Sequence, residues 1–315
     1  MRYRAALAAA MLGMAVGISA AGDAPAAKDF GQKKLADLRA ASDAARYDEV
    51  IAGAGALSRA SRDEAVRMEA ARLAADALRK KGDWRPAAKA YRDLAALSGK
   101  GSDGAVRAEA VAEVLEVSPQ GLYHALRDDK EFGPPRTLSD DGVLAAALER
   151  LAERRAAKLA PRLAAMKTAA TPTDVVAIFQ ELAEAYRQLH VVAPGFSLEP
   201  ERQAARAAAE CLEAIDREVR PKLRDTLVEA EREIAARRTV TSAQKEQLEA
   251  YAATCQKMAD AEEAFRQALE KVGGQGWPER GRLGLQSAGR RTAYGLMAGR
   301  FHWLSLRPVG RWPRP

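Results

Sequence analysis

Long alanine-rich stretches that lack alternating polar and apolar residues constrain the fold more than any other feature of this sequence. Residues 204–209 read Ala-Ala-Arg-Ala-Ala-Ala, and residues 144–148 read Leu-Ala-Ala-Ala-Leu. Alanine is the best helix former and a poor strand former. Aromatic residues make up only 5% of the chain, so the side chains that favour a sheet are scarce. The sequence therefore predicts an all-α fold.

The first 21 residues have the composition of a secretory signal peptide. Arg2 and Arg4 form a positive region, residues 5–18 are uncharged and apolar, and Ser19-Ala20-Ala21 supplies the small residues of a cleavage site. We expect cleavage after Ala21 and a periplasmic or secreted protein, with residues 22–30 as a linker. The alternative is an uncleaved membrane anchor, but the apolar run is barely long enough to span a bilayer.

The net charge of +7 is concentrated at the C-terminal end of the chain. From residue 271 onward there are nine basic residues and a single acidic one, Glu279. With the leader arginines also set aside, residues 5–270 are slightly acidic. Because nucleic-acid binding requires a basic surface, we expect no nucleic acid to bind the body of the protein.

A short pattern occurs twice in the N-terminal third, and the second copy begins 37 residues after the first. Each copy begins with an aromatic residue, Tyr47 or Trp84, followed by small or apolar residues three and ten positions later. Seven positions after Trp84 comes a second aromatic residue, Tyr91. Such self-similarity is typical of proteins that stack repeated helix pairs.

The second copy, residues 68–97, resembles a tetratricopeptide repeat. The matching positions are Ala71, Ala74, Ala75 and Leu78 in the first helix, Gly82 and Trp84 at the turn, and Ala87, Tyr91 and Leu94 in the second helix. Two features depart from the family: Leu94 replaces its usual alanine, and no proline ends the unit. The 37-residue spacing also exceeds the family repeat of about 34.

This resemblance covers about residues 31–130, with a third, partial unit whose first helix is expected at 103–117. It implies antiparallel helix pairs whose groove holds a protein or peptide partner. Tyr47, Trp84 and Tyr91 are the candidate residues for repeat packing and for the groove.

The C-terminal half is expected to form a second helical unit. Gly133-Pro134-Pro135 predicts a loop at 131–141, followed by a helical domain over residues 142–272. Helices are expected near 141–168 and 174–192, the latter capped by Thr171. Two prolines within helical stretches, Pro161 and Pro221, should kink or divide them.

The last two helices of this unit, near 199–238 and 242–271, are expected to form an antiparallel coiled-coil hairpin. Its heptad positions are Leu248, Tyr251, Cys255, Met258, Glu262, Phe265, Leu269 and Val272, facing Leu223, Leu227, Ala230 and Ile234. The hairpin places Cys211 and Cys255 roughly 20 Å apart at about 1.5 Å per residue. We therefore expect free, buried cysteines, unless the first helix folds back near Pro221.

No constellation of residues indicates catalysis, a metal or a cofactor. The histidines His124, His190 and His302 are isolated, and there is no phosphate-binding loop or nucleophile-elbow motif. Glu262, on a heptad core position, is expected to extend its carboxylate to solvent or to pair with an arginine rather than to act as a general acid. The sequence favours an exported, non-enzymatic helical-repeat protein that mediates protein or peptide interactions in the cell envelope. The alternative is an envelope hydrolase built on a helical superstructure. No oligomeric state is predicted.

The tail, residues 273–315, differs abruptly from the rest of the chain and is expected to be disordered. Residues 281–315 contain no Asp, Glu or Lys, and three of the four tryptophans lie beyond residue 276. Three interpretations stand. The tail is an arm that binds anionic polymers, lipid headgroups or nucleic acid. It is a membrane-docking segment that inserts residues such as Leu296, Phe301 and Trp303. Or it is the product of out-of-frame translation.

Overall fold

The protein is all-α, as the alanine-rich sequence predicts. The structure, a computed structural model, describes residues 24–117, 137–237, 239–273 and 276–309, with side chains from residue 30 onward. Within these residues the one non-helical pairing is an isolated bridge between Val240 and Val309. The predicted signal peptide, residues 1–21, lies outside the described residues, as does most of the predicted loop at 131–141.

The N-terminal half is a series of helices in which each one packs against the next. The helices are α1 (Ala24–Asp43), α2 (Tyr47–Ala60), α3 (Glu64–Lys81), α4 (Trp84–Leu97) and α5 (Asp103–Glu116). The expectation of a linker over 22–30 is wrong from residue 24 onward, because α1 begins there. Its second residue is Pro25, and proline is tolerated in the first turn of a helix.

The turn between α3 and α4 shows how local sequence sets the helix pair. Gly82 has a φ of 91°, in the left-handed region that glycine adopts without strain. The amide of Asp83 donates to the carbonyl of Leu78, a bond that ends α3 and reverses the chain. The ring of Trp84 lies against this turn, with Cζ2 3.8 Å from where a Cβ on Gly82 would stand.

The C-terminal half consists of longer helices. They are α6 (Asp141–Ala157), α7 (Ala160–Lys167), α8 (Pro172–Val192), α9 (Glu199–Arg237), α10 (Ser242–Lys271) and α11 (Pro278–Ser305). Thr171 caps α8 as predicted, and Thr241 forms a capping box with Gln244 at the start of α10. Pro161 begins α7 and so divides the predicted helix 141–168, whereas Pro221 lies inside an uninterrupted α9.

The largest hydrophobic cluster runs from Ala75 to Leu283 and includes buried residues on both sides of the expected domain boundary. Arg79 reinforces this link. Its Nη1 donates to the carbonyls of Leu138 (2.7 Å) and Ser139 (3.1 Å), and its Nη2 pairs with Asp141. The two halves therefore share one core.

The prediction of a disordered tail is wrong for residues 278–305, which form α11. Pro278 stands at the start of the helix, where the missing amide hydrogen costs nothing. One face of α11 is buried through Leu283, Ser287, Tyr294 and Phe301. Disorder was predicted from the overall composition of residues 281–315, which is rich in arginine and glycine and lacks acidic residues. Composition does not show that the apolar residues fall on one face of a helix.

The predicted pairing of α9 with α10 as a coiled-coil hairpin is wrong, although both helices are present. The face of α10 that carries Leu248, Cys255 and Met258 packs mainly against α11 and makes little contact with α9. Leu223 and Leu227 of α9 belong to the same cluster. The heptad pattern identified a face that must be buried, but it carries no information about which helix covers it. Both cysteines are free, as expected, although Cys211 is only half-buried.

Candidate functional site

An open groove of about 780 Å³ runs between helices α3, α4, α5 and α6. Its apolar lining comes mainly from Met68, Leu94, Val111, Leu144 and Leu148, with small alanines between them. Charged side chains also line it, among them Glu69, Arg72, Asp76, Arg79, Lys80, Arg107 and Asp141. An apolar lining with a few placed polar groups is the usual composition of a binding site.

A chain of polar contacts follows α3 along the groove. The hydroxyl of Tyr91 donates to Asp76, whose other oxygen accepts from Arg72 Nη1 at 3.2 Å. Arg72 also pairs with Glu69 through two hydrogen bonds, at 2.9 and 2.7 Å. Glu69 is held from the other side by Arg39 of α1, at 2.9 Å. These contacts fix the orientation of the polar groups before any ligand arrives.

The same contacts shift the protonation equilibria of the groove residues. Burial and the neighbouring Asp76 raise the pKa of Tyr91, so its hydroxyl keeps its proton at neutral pH. Hydrogen bonds from Arg72 and Arg39 outweigh the effect of burial and lower the pKa of Glu69 to about 2. Tyr91 therefore serves as a neutral donor and Glu69 as a permanent carboxylate.

Two arginines that line the groove differ in whether they have partners within the protein. Arg79 is buried, and both of its terminal nitrogens donate within the protein, to Leu138, Ser139 and Asp141, whereas its Nε has no hydrogen-bond partner among the described residues. Arg107 is exposed and makes no hydrogen bond or ion pair within the described part of the chain. Its guanidinium is thus available to a ligand that carries a negative charge.

Of the three candidate residues from the sequence, only Tyr91 lines this groove. Tyr47 is half-buried against the cluster that α1, α2 and α3 share. Trp84 is half-buried against the large cluster beside Gly82. The repeat pattern thus brings one candidate to the groove and uses the other two in packing between helices.

Sequence reasoning missed the charged residues of the groove. In the sequence, Arg72 and Asp76 are an ordinary pair four residues apart, typical of a solvated helix face. Asp141 lies 62 residues from the Arg79 that it pairs with. The spacing along α3 was the available signal, since Glu69, Arg72, Asp76 and Arg79 recur every three or four residues.

A second hollow, of about 580 Å³, lies between α4, α5 and α6. Its lining is mostly charged, and two cross-helix ion pairs occupy it, Arg92 with Glu116 and Arg155 with Glu113. Because these charges already satisfy one another, this hollow offers less to a ligand than the groove does.

Buried carboxylates occur away from the groove. Glu262 is buried and accepts two hydrogen bonds from Arg290, at 2.6 and 3.0 Å, as its predicted pairing requires. Glu201 is also buried, and it accepts from the amide of Gly273 at 3.2 Å and lies 3.4 Å from His190. Burial raises the pKa of Glu201. No group of His, Cys, Asp and Glu in the described residues is arranged to hold a metal ion.

The fold and the groove define the class of the molecule as an all-α helical array with an open groove on one side. No protein-family model matches the chain, and neither the curated proteins nor the solved structures include one that is detectably similar. Among the described helices, none combines the length and the apolar character required to cross a bilayer.

Proposed function

We propose that this protein is an exported helical-repeat protein that holds a peptide, or a segment of a protein partner, in the α3–α6 groove. The observation that carries the proposal is the groove itself, which is open and partly apolar and includes Arg107, whose guanidinium has no hydrogen bond or ion pair among the described residues. Export is supported by the signal-peptide composition of residues 1–21.

The size and lining of the groove suit a short peptide segment. Its volume of about 780 Å³ lies within the usual range for ligand sites, about 300–1,000 Å³. Because the groove is open, a longer chain can enter and leave it. Met68 and Leu144, which are only partly buried, would contact apolar side chains of the partner, whereas Leu94, Val111 and Leu148 form the buried floor of the groove.

The charges of the groove favour a partner with an acidic residue. The acids Asp76 and Asp141 are already paired with the protein's own arginines. Arg107 therefore supplies a positive charge that no carboxylate of the described residues pairs with, beside the apolar lining. A peptide carrying a carboxylate next to apolar residues would satisfy both features.

The resemblance of residues 68–97 to a tetratricopeptide repeat adds to the proposal, because such helix pairs commonly form peptide-binding surfaces. The alternative, an envelope hydrolase, receives less support. The buried acids Glu201 and Glu262 lie outside the groove and hold segments of the chain together.

The test is selection from a phage-displayed peptide library on the purified chain, followed by measurement of Kd for the selected peptides. We expect acidic residues beside apolar ones in the selected sequences. Arg107→Glu should weaken their binding by about tenfold or more, since a matched charge is replaced by repulsion. The control is Arg85→Glu, which changes an exposed arginine of α4 that does not line the groove. Equal binding to the Arg107→Glu variant and the wild type would contradict the proposal.

A further inference from the structure

Most of the large apolar side chains that the structure leaves exposed belong to α11 and the residues that follow it. They are Leu285 (76% exposed), Leu296 (67%), Trp303 (55%), Leu306 (65%) and Val309 (51%). The remaining three in the described residues are Phe30, Val117 and Val228, which lie on other elements. A soluble surface rarely concentrates apolar residues in this way without a binding role.

Three of these side chains form one line along the outward face of α11. Leu285, Leu296 and Trp303 are separated by eleven and seven residues, which correspond to about three and two helical turns. Exposed small residues, Gly289 and Gly299, lie between them. The opposite face of the helix is the buried one. α11 thus has apolar residues on two faces, and only one of these faces is buried against the other helices.

The charge along this outward face is entirely positive. The last acidic residue of the chain is Glu279, and Arg282 and Arg300 lie beside the apolar line. The guanidinium of Arg307 lies 4.0 Å from the centre of the Trp303 ring. An arginine beside a tryptophan at the rim of an apolar surface is typical of helices that lie in a membrane interface.

Two of these arginines have carboxylate partners at the edge of the face, whereas Arg307 has no ion pair among the described residues. Glu279 accepts from both Arg206 and Arg282, and Glu231 of α9 accepts from Arg300 at 2.9 Å. These pairs hold the arginines at the edge of the face while Arg307 stays with Trp303. The surface therefore combines an apolar line with a positive border.

We infer that the outward face of α11 docks the protein on an anionic membrane surface. The apolar line of Leu285, Leu296 and Trp303 enters the interface, and the arginines meet lipid phosphates. A second copy of the chain fits less well, because self-pairing along this line would place arginines against arginines, and α11 has no acidic residue after Glu279. This inference rests on α11 alone and is independent of the α3–α6 groove.

The test is co-sedimentation of the full chain with phosphatidylglycerol vesicles and with phosphatidylcholine vesicles. The triple substitution Leu285→Ser, Leu296→Ser, Trp303→Ser should reduce binding to the anionic vesicles by about tenfold or more, because buried apolar area drives interfacial binding. Binding of the wild type should weaken as salt rises and should be weaker on phosphatidylcholine. Any binding through the apolar leader is common to all variants and does not affect the comparison.

The matched control is Phe30→Ser, which removes an exposed aromatic residue that lies near Lys34 on α1. A second variant, Arg282→Gln with Arg307→Gln, keeps the apolar line and should lose most of the salt dependence. Because all the altered residues are exposed, circular dichroism should show an unchanged fold.

Two outcomes would overturn the inference. In the first, the triple variant binds anionic vesicles as well as the wild type or the Phe30→Ser control. In the second, sedimentation velocity shows that the wild type is a dimer and the triple variant a monomer, which would assign the face to a second copy of the chain.

Discussion

At the scale of single residues, the buried charges of this protein lie where distant parts of the chain meet. Arg79 holds the carbonyls of Leu138 and Ser139, and Glu262 holds Arg290. A buried charge without a partner costs several kcal/mol, so each contact excludes arrangements in which its two segments separate. The half-buried Glu69 plays a similar part between α1 and α3, through Arg39 and Arg72.

Glu69→Gln should destabilise the protein by about 1 kcal/mol at neutral pH, a value reduced for partial exposure to solvent. The pKa of Glu69 is lowered from 4.5 to about 2 in the folded chain. Its contribution is therefore fully present above pH 4.5 and is lost as the pH falls towards 2. Urea unfolding of both chains across this range measures the difference. The control is Glu153→Gln, which alters an exposed residue of α6 that has no ion pair among the described residues and should change little. A difference that persists at the acidic end would contradict the assignment.

At the scale of elements, α11 completes the bundle formed by α9 and α10. Its buried polar residues match partners on α10: Ser287 donates to the carbonyl of Glu262 at 2.9 Å, and Arg290 pairs with the carboxylate of the same residue. Tyr294 and Phe301 are fully buried in the same bundle. Such complementarity is not expected of an out-of-frame translation product, and it favours a genuine C-terminal helix.

Arg290→Met should destabilise the protein by about 3–5 kcal/mol, because the Glu262 carboxylate would stay buried without a partner. Adding Glu262→Met removes that carboxylate as well and should restore stability close to that of the wild type. Urea denaturation with matched slopes is the measurement.

The control for this pair is Arg291→Met, which removes an exposed ion pair with Glu263 and should cost less than about 1 kcal/mol. If Arg290→Met proved as mild as Arg291→Met, α11 would not be docked through this contact.

At the scale of the whole molecule, one hydrophobic cluster joins the two halves that the sequence suggested were separate. Buried residues of α4 and α5, such as Tyr91 and Val111, belong to the same cluster as Phe179 of α8 and Phe265 of α10. Arg79 adds polar contacts across the same junction. Opening one half would therefore expose apolar surface of the other.

Native-state hydrogen exchange should show this coupling. Because α4 and α8 share a core, we expect the slowest amides of both helices to exchange with the same free energy, that of global unfolding. Mass spectrometry of the wild-type chain at increasing denaturant measures it. Two distinct free energies, with α4 opening before α8, would instead indicate two independent units.

The sequence by itself determined the helical class and the bounds of several helices, although it did not predict α11. Alanine-rich stretches predicted the helical class. The predicted bounds of the two hairpin helices differ by at most one residue from those of α9 and α10. The cap at Thr171 was also correct. These features depend on contacts within a few residues of the chain, and so local sequence specifies them.

Only the tertiary structure decided which faces meet. The heptad line of α10 is covered mainly by α11 rather than by α9, and Arg79 finds its partners about 60 residues away. The groove likewise combines Arg72, Arg107 and Asp141 from three helices. The periodicity of apolar residues shows that one face of a helix must be buried, and the sequence shows which residues are charged. Which helix covers the face, and which residue pairs with the charge, depends on packing between segments that are distant in sequence. A local sequence pattern cannot predict this packing.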